Sequence, residues 1–266
     1  MPEITTYPGS RRSSPGRVNH ARVVAAAARG ALADQHPRET PAPIGRVIGV
    51  LGLRPALIIG LGLLLLATGT HLIWMNGLVI LVDLIALLVV HRALRAEGRS
   101  LLDLFRPWRW VDLAWGALLL VIVTIGFFAA TFLANAIVYQ GAPPAATGAT
   151  PSLPLWFALI GVLVMPLSIA VAEEAVYRGY AQPRLGRHLG TVGSLLTVAL
   201  IFGIQHIGFS LTDPQALLAR VITTALAGLM FGLLMLWLRR IAPLTLAHWG
   251  LDVLGLGLPI LLLALA

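Results

Sequence analysis

Two adjacent carboxylates, Glu173 and Glu174, follow a long apolar run and precede Arg178 by one helical turn. An ionisable group inside a bilayer costs at least ~2.5 kcal/mol, so such groups mark candidate functional sites. On a helix, Glu174 and Arg178 are four residues apart in the order that favours an ion pair, and we expect them to brace the interior. Glu173 points about 100° away and has no such partner nearby in the sequence. We therefore interpret Glu173 as the reactive group.

Two further polar motifs lie in apolar stretches, Phe202-x-x-x-His206 and His248-x-x-x-Asp252. Residues four apart share one helical face, so three helices can direct polar groups to one interior site. A single histidine in a membrane span more often makes a hydrogen bond between helices than a catalytic contact. The three motifs together favour a site.

These residue types suit the hydrolysis of a peptide bond. A carboxylate such as Glu173, in a partly wet cavity, can take a proton from water and later give it to a leaving group. A histidine beside it can hold the same water, while a second histidine with a hydrogen-bonding neighbour can stabilise an oxyanion. The alternative is a zinc site, with His206, His248 and Glu173 as ligands and water in the fourth position. The cofactor therefore stays open between zinc and a metal-free mechanism.

The composition is that of an integral membrane protein. Of 266 residues, 58% are hydrophobic and 11% are charged, against ~25% charged in soluble domains. The absence of cysteine excludes thiol catalysis and disulfides. The charge of +8 comes from arginine alone, with no aromatic-interleaved basic patch, so we expect a lipid bilayer as a partner and no nucleic acid. The peptide substrate is expected from the hydrolytic chemistry of Glu173 and the histidines.

Seven apolar stretches predict an all-α, polytopic transmembrane helix bundle of about seven spans. One stretch is shorter and one longer than the ~20 residues that a span needs, so six to eight spans fit. The stretches cover residues 56–74, 77–90, 113–139, 153–182, 192–209, 217–238 and 246–265.

The arginines predict the orientation of the bundle. All of them except Arg220 fall on segments that face the cytoplasm if the amino terminus is cytoplasmic. Residues 1–43, rich in arginine and proline, are expected to form a disordered cytoplasmic tail. Residues 44–266 then form the transmembrane domain. His71 and Asp83 lie six residues on either side of Gly77, and we expect them to join two helices by a hydrogen bond.

The order and spacing of the three motifs resemble the CAAX protease and bacteriocin-processing family of intramembrane endopeptidases, which includes type II CAAX prenyl proteases. The resemblance covers about residues 150–255, the expected protease core. It implies that Glu173 activates water with His206, and that His248 and the residue at 252 polarise the scissile carbonyl. It also implies that Glu174 and Arg178, with Phe202, support the site.

Position 252 departs from the pattern, because many members of that family have Asn there. Asp252 is then protonated, or orients His248, or binds metal. The resemblance implies a multi-pass protein of a bacterial plasma membrane that cleaves peptides or lipid-modified proteins. Two other hypotheses remain, a transporter with a proton or metal relay and a non-catalytic immunity or scaffold protein.

Overall fold

The computed structural model describes residues 42–144 and 152–266, and the regular structure in these two ranges is entirely helical. The all-α prediction is therefore confirmed. The predicted tail lies outside the described residues as far as residue 41. Nine α-helices occur in the described ranges: α1 Ile44–Ala67, α2 Met75–Arg95, α3 Val111–Tyr139, α4 Leu155–Leu163, α5 Met165–Glu173, α6 Gln182–Ile204, α7 Pro214–Leu238, α8 Ile241–Asp252 and α9 Leu258–Leu265.

Short helices of other types connect the α-helices. Two π-helical segments, Glu174–Ala181 and Val253–Gly257, continue α5 and α8 without a break. Three 3₁₀ turns cover Leu72–Trp74, Leu101–Leu104 and Gln205–Phe209. Single turns of π-helix inside α-helices often accompany functional sites, and here each follows directly after a candidate catalytic acid, Glu173 or Asp252.

Six helical stretches are long and apolar enough to cross a membrane: Ile44–Ala67, Leu72–Arg95, Val111–Tyr139, Leu155–Phe209, Pro214–Leu238 and Ile241–Leu265. The chain is thus an integral multi-pass membrane protein. The predicted spans 153–182 and 192–209 fall in one stretch of 55 residues, which at 1.5 Å per residue far exceeds the ~30 Å hydrocarbon core. Gly190, with φ 71°, interrupts the helical backbone there. The count of seven and the cytoplasmic amino terminus stay predictions.

Several helix boundaries differ from the sequence prediction. Helix α1 begins at Ile44 rather than residue 56, and it contains both Arg54 and Pro55. Arg54 was counted with the cytoplasmic arginines, but its side chain is buried inside the bundle. A buried guanidinium is stable there only because acidic partners surround it. The last stretch begins at Ile241 rather than residue 246.

Helix α5 and the π-helical segment Glu174–Ala181 run through the middle of the bundle. Helix α5 packs against α2 and α8, and the π-helical segment contacts α1, α2, α6 and α8. All eight residues of that segment are buried. Glu173, the last residue of α5, is therefore enclosed by helices from both halves of the chain.

A close approach of two backbones brings α1 beside the 3₁₀ turn Gln205–Phe209. A β-carbon at Gly208 would lie 2.5 Å from the carbonyl oxygen of Ile58, and one at Gly62 would clash with the carbonyl oxygen of Gly208. Only glycine permits such contact. The approach sets Arg54 of α1 near Gln205 and His206.

The outer surface is apolar, as in Phe128 and Phe132 of α3, which suits contact with lipid.

Candidate active site

Glu173 lies at the centre of a buried polar network. Its Oε1 accepts hydrogen bonds from Arg54 Nη1 at 2.5 Å and from Gln205 Nε2 at 3.0 Å. Tyr177 donates its hydroxyl to Gln205 Oε1 at 2.6 Å, which orients the Gln205 amide. Glu173 is 2% exposed and Arg54 1%. One carboxylate oxygen of Glu173 is thus held in place, and the other, Oε2, faces His248.

Arg54 also binds Asp83 of α2, through Nε at 2.9 Å and Nη2 at 2.8 Å. The second oxygen of Asp83 accepts a hydrogen bond from Ser168. The predicted pairing of His71 with Asp83 is wrong, because His71 is exposed and its Nδ1 accepts from the backbone N–H of Ile73. Asp83 instead compensates the charge of the buried arginine.

The predicted brace between Glu174 and Arg178 is present, with Arg178 Nη1 at 3.2 Å from Glu174 Oε1. Both side chains are fully buried. Glu174 has a further role that the sequence did not predict. Its Oε1 lies 2.9 Å from His248 Nδ1, and since a carboxylate accepts, Nδ1–H donates. This bond fixes the rotation of the imidazole ring and leaves Nε2 on the opposite side.

His248 Nε2 faces the remaining acids of the site. It lies 3.5 Å from Glu173 Oε2 and 3.6 Å from Asp252 Oδ2. Asp252 Oδ2 is buried and has no hydrogen-bond partner within the described part of the chain. Glu173, His248 and Asp252 therefore direct polar atoms at one small space. Glu174 orients the His248 ring through Nδ1. Asp252 lies near the other ring nitrogen, Nε2, and is not needed to orient the ring.

Phe202, near the end of α6, and His206, in the 3₁₀ turn that follows α6, border this space. The Phe202 ring lies 4.6 Å from the Arg178 guanidinium carbon and 5.3 Å from the His206 ring. His206 Nδ1 lies 2.8 Å from the Phe202 carbonyl oxygen. A carbonyl only accepts, so Nδ1–H donates and Nε2 of neutral His206 carries the lone pair. Among the described residues, no ion pair within 4 Å joins His206 to Glu173.

The predicted zinc set of His206, His248 and Glu173 does not fit this arrangement. Within residues 42–144 and 152–266, no group of three or more His, Asp or Glu side chains is placed to hold a metal ion. Glu173 Oε1 already binds the cationic Arg54, which would repel a divalent cation at that oxygen.

Sequence reasoning missed Arg54, Gln205 and Tyr177. Gln205 and Tyr177 adjoin the recognised motifs, since Gln205 precedes His206 and Tyr177 precedes Arg178. Arg54 could have been found as the one charged residue in the otherwise apolar stretch 47–67. The neighbouring Pro55 suggested that a helix begins there, but the helix continues through it.

Comparison with known proteins bears on the same segment. Residues 151–254 match the family model described as type II CAAX prenyl endopeptidase, Rce1-like. No curated protein and no solved structure matches the chain. The matched segment contains all three motifs, whereas Arg54 and Asp83 lie before it. Over residues 151–254, this chain is therefore similar to the Rce1-like type II CAAX prenyl endopeptidase family.

Proposed function

We propose that the protein is an intramembrane endopeptidase of the glutamate type that hydrolyses peptide bonds in membrane-associated or CAAX-like substrates. One observation supports this most directly. Glu173 is anchored through Oε1, while its Oε2 faces His248 Nε2 at 3.5 Å beside the unpartnered Asp252 Oδ2. A base and two groups able to stabilise an oxyanion thus meet at one buried point.

In the first step, Glu173 Oε2 takes a proton from water, and the water oxygen bonds to the scissile carbonyl carbon. His206 Nε2, which carries the lone pair, accepts a hydrogen bond from the same water. Arg54 and Gln205 keep the other carboxylate oxygen fixed, so Glu173 needs no reorganisation as the proton moves.

The resulting oxyanion is stabilised by His248 and Asp252. His248 in its imidazolium form donates from Nε2–H, while its Nδ1–H remains bound to Glu174. Asp252 in its neutral form donates as well, which satisfies the buried Oδ2. Glu173 then returns its proton to the leaving nitrogen as the carbon–nitrogen bond breaks, which restores the carboxylate.

The family match and the membrane-spanning helices support a peptide substrate that reaches the site through or beside the bilayer. A prenylated carboxyl-terminal peptide is the specific candidate, and a bacterial plasma membrane the proposed location. A transporter could use the same buried network as a proton relay, through Asp83, Arg54, Glu173 and His248. The experiment must therefore distinguish peptide cleavage from proton flux.

The test is cleavage of quenched-fluorescent peptides, with and without a farnesylated CAAX end, by the full chain purified in detergent. Glu173→Gln keeps the acceptor for Arg54 and Gln205 and is expected to abolish turnover while the protein stays folded. Asp213→Asn is the matched control, because Asp213 is an exposed N-cap of α7 and asparagine caps equally well.

Wild-type cleavage that is lost in Glu173→Gln but kept in Asp213→Asn would support the assignment. Turnover that resists a chelator would support the metal-free mechanism, whereas loss in the chelator with recovery on zinc would refute it. If folded wild-type protein cleaves no peptide but carries gradient-driven proton flux, the endopeptidase proposal fails.

A further inference from the structure

A second polar region lies at the end of the bundle where α7 ends and α8 begins. A cavity of about 300 Å³ opens there. Its wall is formed by the 3₁₀ turn Leu101–Leu104, the π-helical segment Glu174–Ala181 and the residues that join α7 to α8. Five arginines and one aspartate line it: Arg99, Arg106, Arg178, Arg239, Arg240 and Asp103.

Two of these arginines already have acidic partners. Arg240 pairs with Asp112 at 2.7 Å, and Arg178 pairs with Glu174 at 3.2 Å. Arg178 also has one unsatisfied hydrogen-bond donor, since its buried Nε has no partner among the described residues. These two residues form a fixed cationic wall.

The other three arginines, Arg99, Arg106 and Arg239, have no acidic group within 4 Å in residues 42–144 and 152–266. Asp103 is the only acid in the lining, and its carboxylate caps its own 3₁₀ turn by accepting from Ser100 N–H at 2.7 Å. Hydrogen bonds from Ser100 lower the pKa of Asp103, so it stays ionised but is already engaged. The cavity therefore carries an uncompensated positive charge.

The surroundings place this cavity at the level of lipid headgroups. Trp108, Trp110 and Trp237 lie beside its lining residues, and all three side chains are exposed. Tryptophan concentrates at membrane interfaces, where the ring contacts lipid and the indole N–H contacts water. Basic pockets between membrane helices at this depth suit phosphate headgroups, and the planar guanidinium fork suits phosphate oxygens.

We propose that this cavity binds a phosphate group, supplied by the headgroup of an anionic phospholipid. Arg99, Arg106 and Arg239 supply the charge that the ligand neutralises, and Arg178 forms the inner wall. The proposal does not depend on peptidase activity.

The experiment measures lipid retention by native mass spectrometry of the full chain in detergent. Phosphatidylglycerol is titrated against phosphatidylcholine at equal concentration, and inorganic phosphate is titrated in a separate arm. The test variant is Arg106→Gln with Arg239→Gln, two exposed positions at which glutamine removes the charge and keeps a polar, flexible side chain. Arg187→Gln is the matched control, because Arg187 is exposed and does not line the cavity.

Wild type is expected to retain one phosphatidylglycerol in preference to phosphatidylcholine. Each arginine removed should weaken binding about fivefold, or about 25-fold for the double variant, while Arg187→Gln has little effect. If only inorganic phosphate binds with this dependence on the variants, the site is supported and the lipid source is refuted. Equal loss in the control, or no preference for either phosphate ligand, overturns the proposal. Should the double variant misfold, Arg106→Gln alone is expected to give the fivefold loss.

Discussion

Arg54 is the residue whose removal tests the network most severely. It joins three helices, because it binds Asp83 of α2 by two contacts of 2.8–2.9 Å and Glu173 of α5 at 2.5 Å. Arg54→Met removes the only cation within 4 Å of these two carboxylates among the described residues, apart from His248 near Glu173. Methionine fills a similar volume, so the variant deletes charge with little change in packing.

The expected loss of stability follows from burial. Asp83 is 0% exposed and Glu173 is 2% exposed, so neither carboxylate can recover solvation by water when the guanidinium is gone. Breaking a buried pair by removing one partner costs ~3–5 kcal/mol. Because two acids lose their partner together, we expect the upper part of this range for Arg54→Met.

The assay is unfolding in mixed dodecyl maltoside and dodecyl sulfate micelles, followed by tryptophan fluorescence. Arg46→Met is the matched control, since Arg46 lies two turns earlier on α1 and is exposed; its effect should stay within ~0.5 kcal/mol. Asp83→Asn added to Arg54→Met removes one of the orphaned charges, so the double variant should lose less than the sum of the two single variants, by about 1–3 kcal/mol. Additive losses would refute the argument that these charges compensate each other.

Three further predictions concern the acids and the close backbone contact. Glu174→Ala should lower the free energy of unfolding by ~3–5 kcal/mol, because it orphans a buried arginine and releases His248. Asp252→Asn should retain peptidase activity, since an amide can donate to the oxyanion, whereas Asp252→Ala should lower kcat by about 10²–10³-fold. Gly62→Ala should destabilise the protein by ~1–3 kcal/mol, because its β-carbon would meet a facing backbone.

The controls separate these causes from general damage. Gly60→Ala, on the same helix with no atom within 4 Å of its β-carbon, should be neutral or slightly stabilising, because alanine favours a helix by ~0.5–1 kcal/mol. Equal unfolding of both glycine variants would count against close packing. Kinetics of Asp252→Asn as slow as those of Asp252→Ala would show that an ionised carboxylate is required. Glu173→Gln unfolding as readily as Glu174→Ala would contradict the separation of reactive and bracing acids.

The sequence by itself determined the features that depend on local spacing and composition. Apolar stretches longer than a bilayer requires predicted the all-α membrane bundle, since only helices satisfy the backbone there without outside partners. The pair Glu174 and Arg178 followed from a separation of four residues, because one helix fixes the relative position of both side chains. The ordered motifs led to the family that residues 151–254 match.

Only the tertiary structure decided which distant residues meet. Arg54 pairs with Glu173 across 119 positions, and His248 pairs with Glu174 across 74. No helical period relates such residues, because the two members of each pair lie on different helical segments that only tertiary packing brings together. The same limit explains the wrong pairing of His71 with Asp83. The position of a residue along a helical hairpin can be counted from the sequence. The cation that a buried carboxylate contacts depends on which helices pack together.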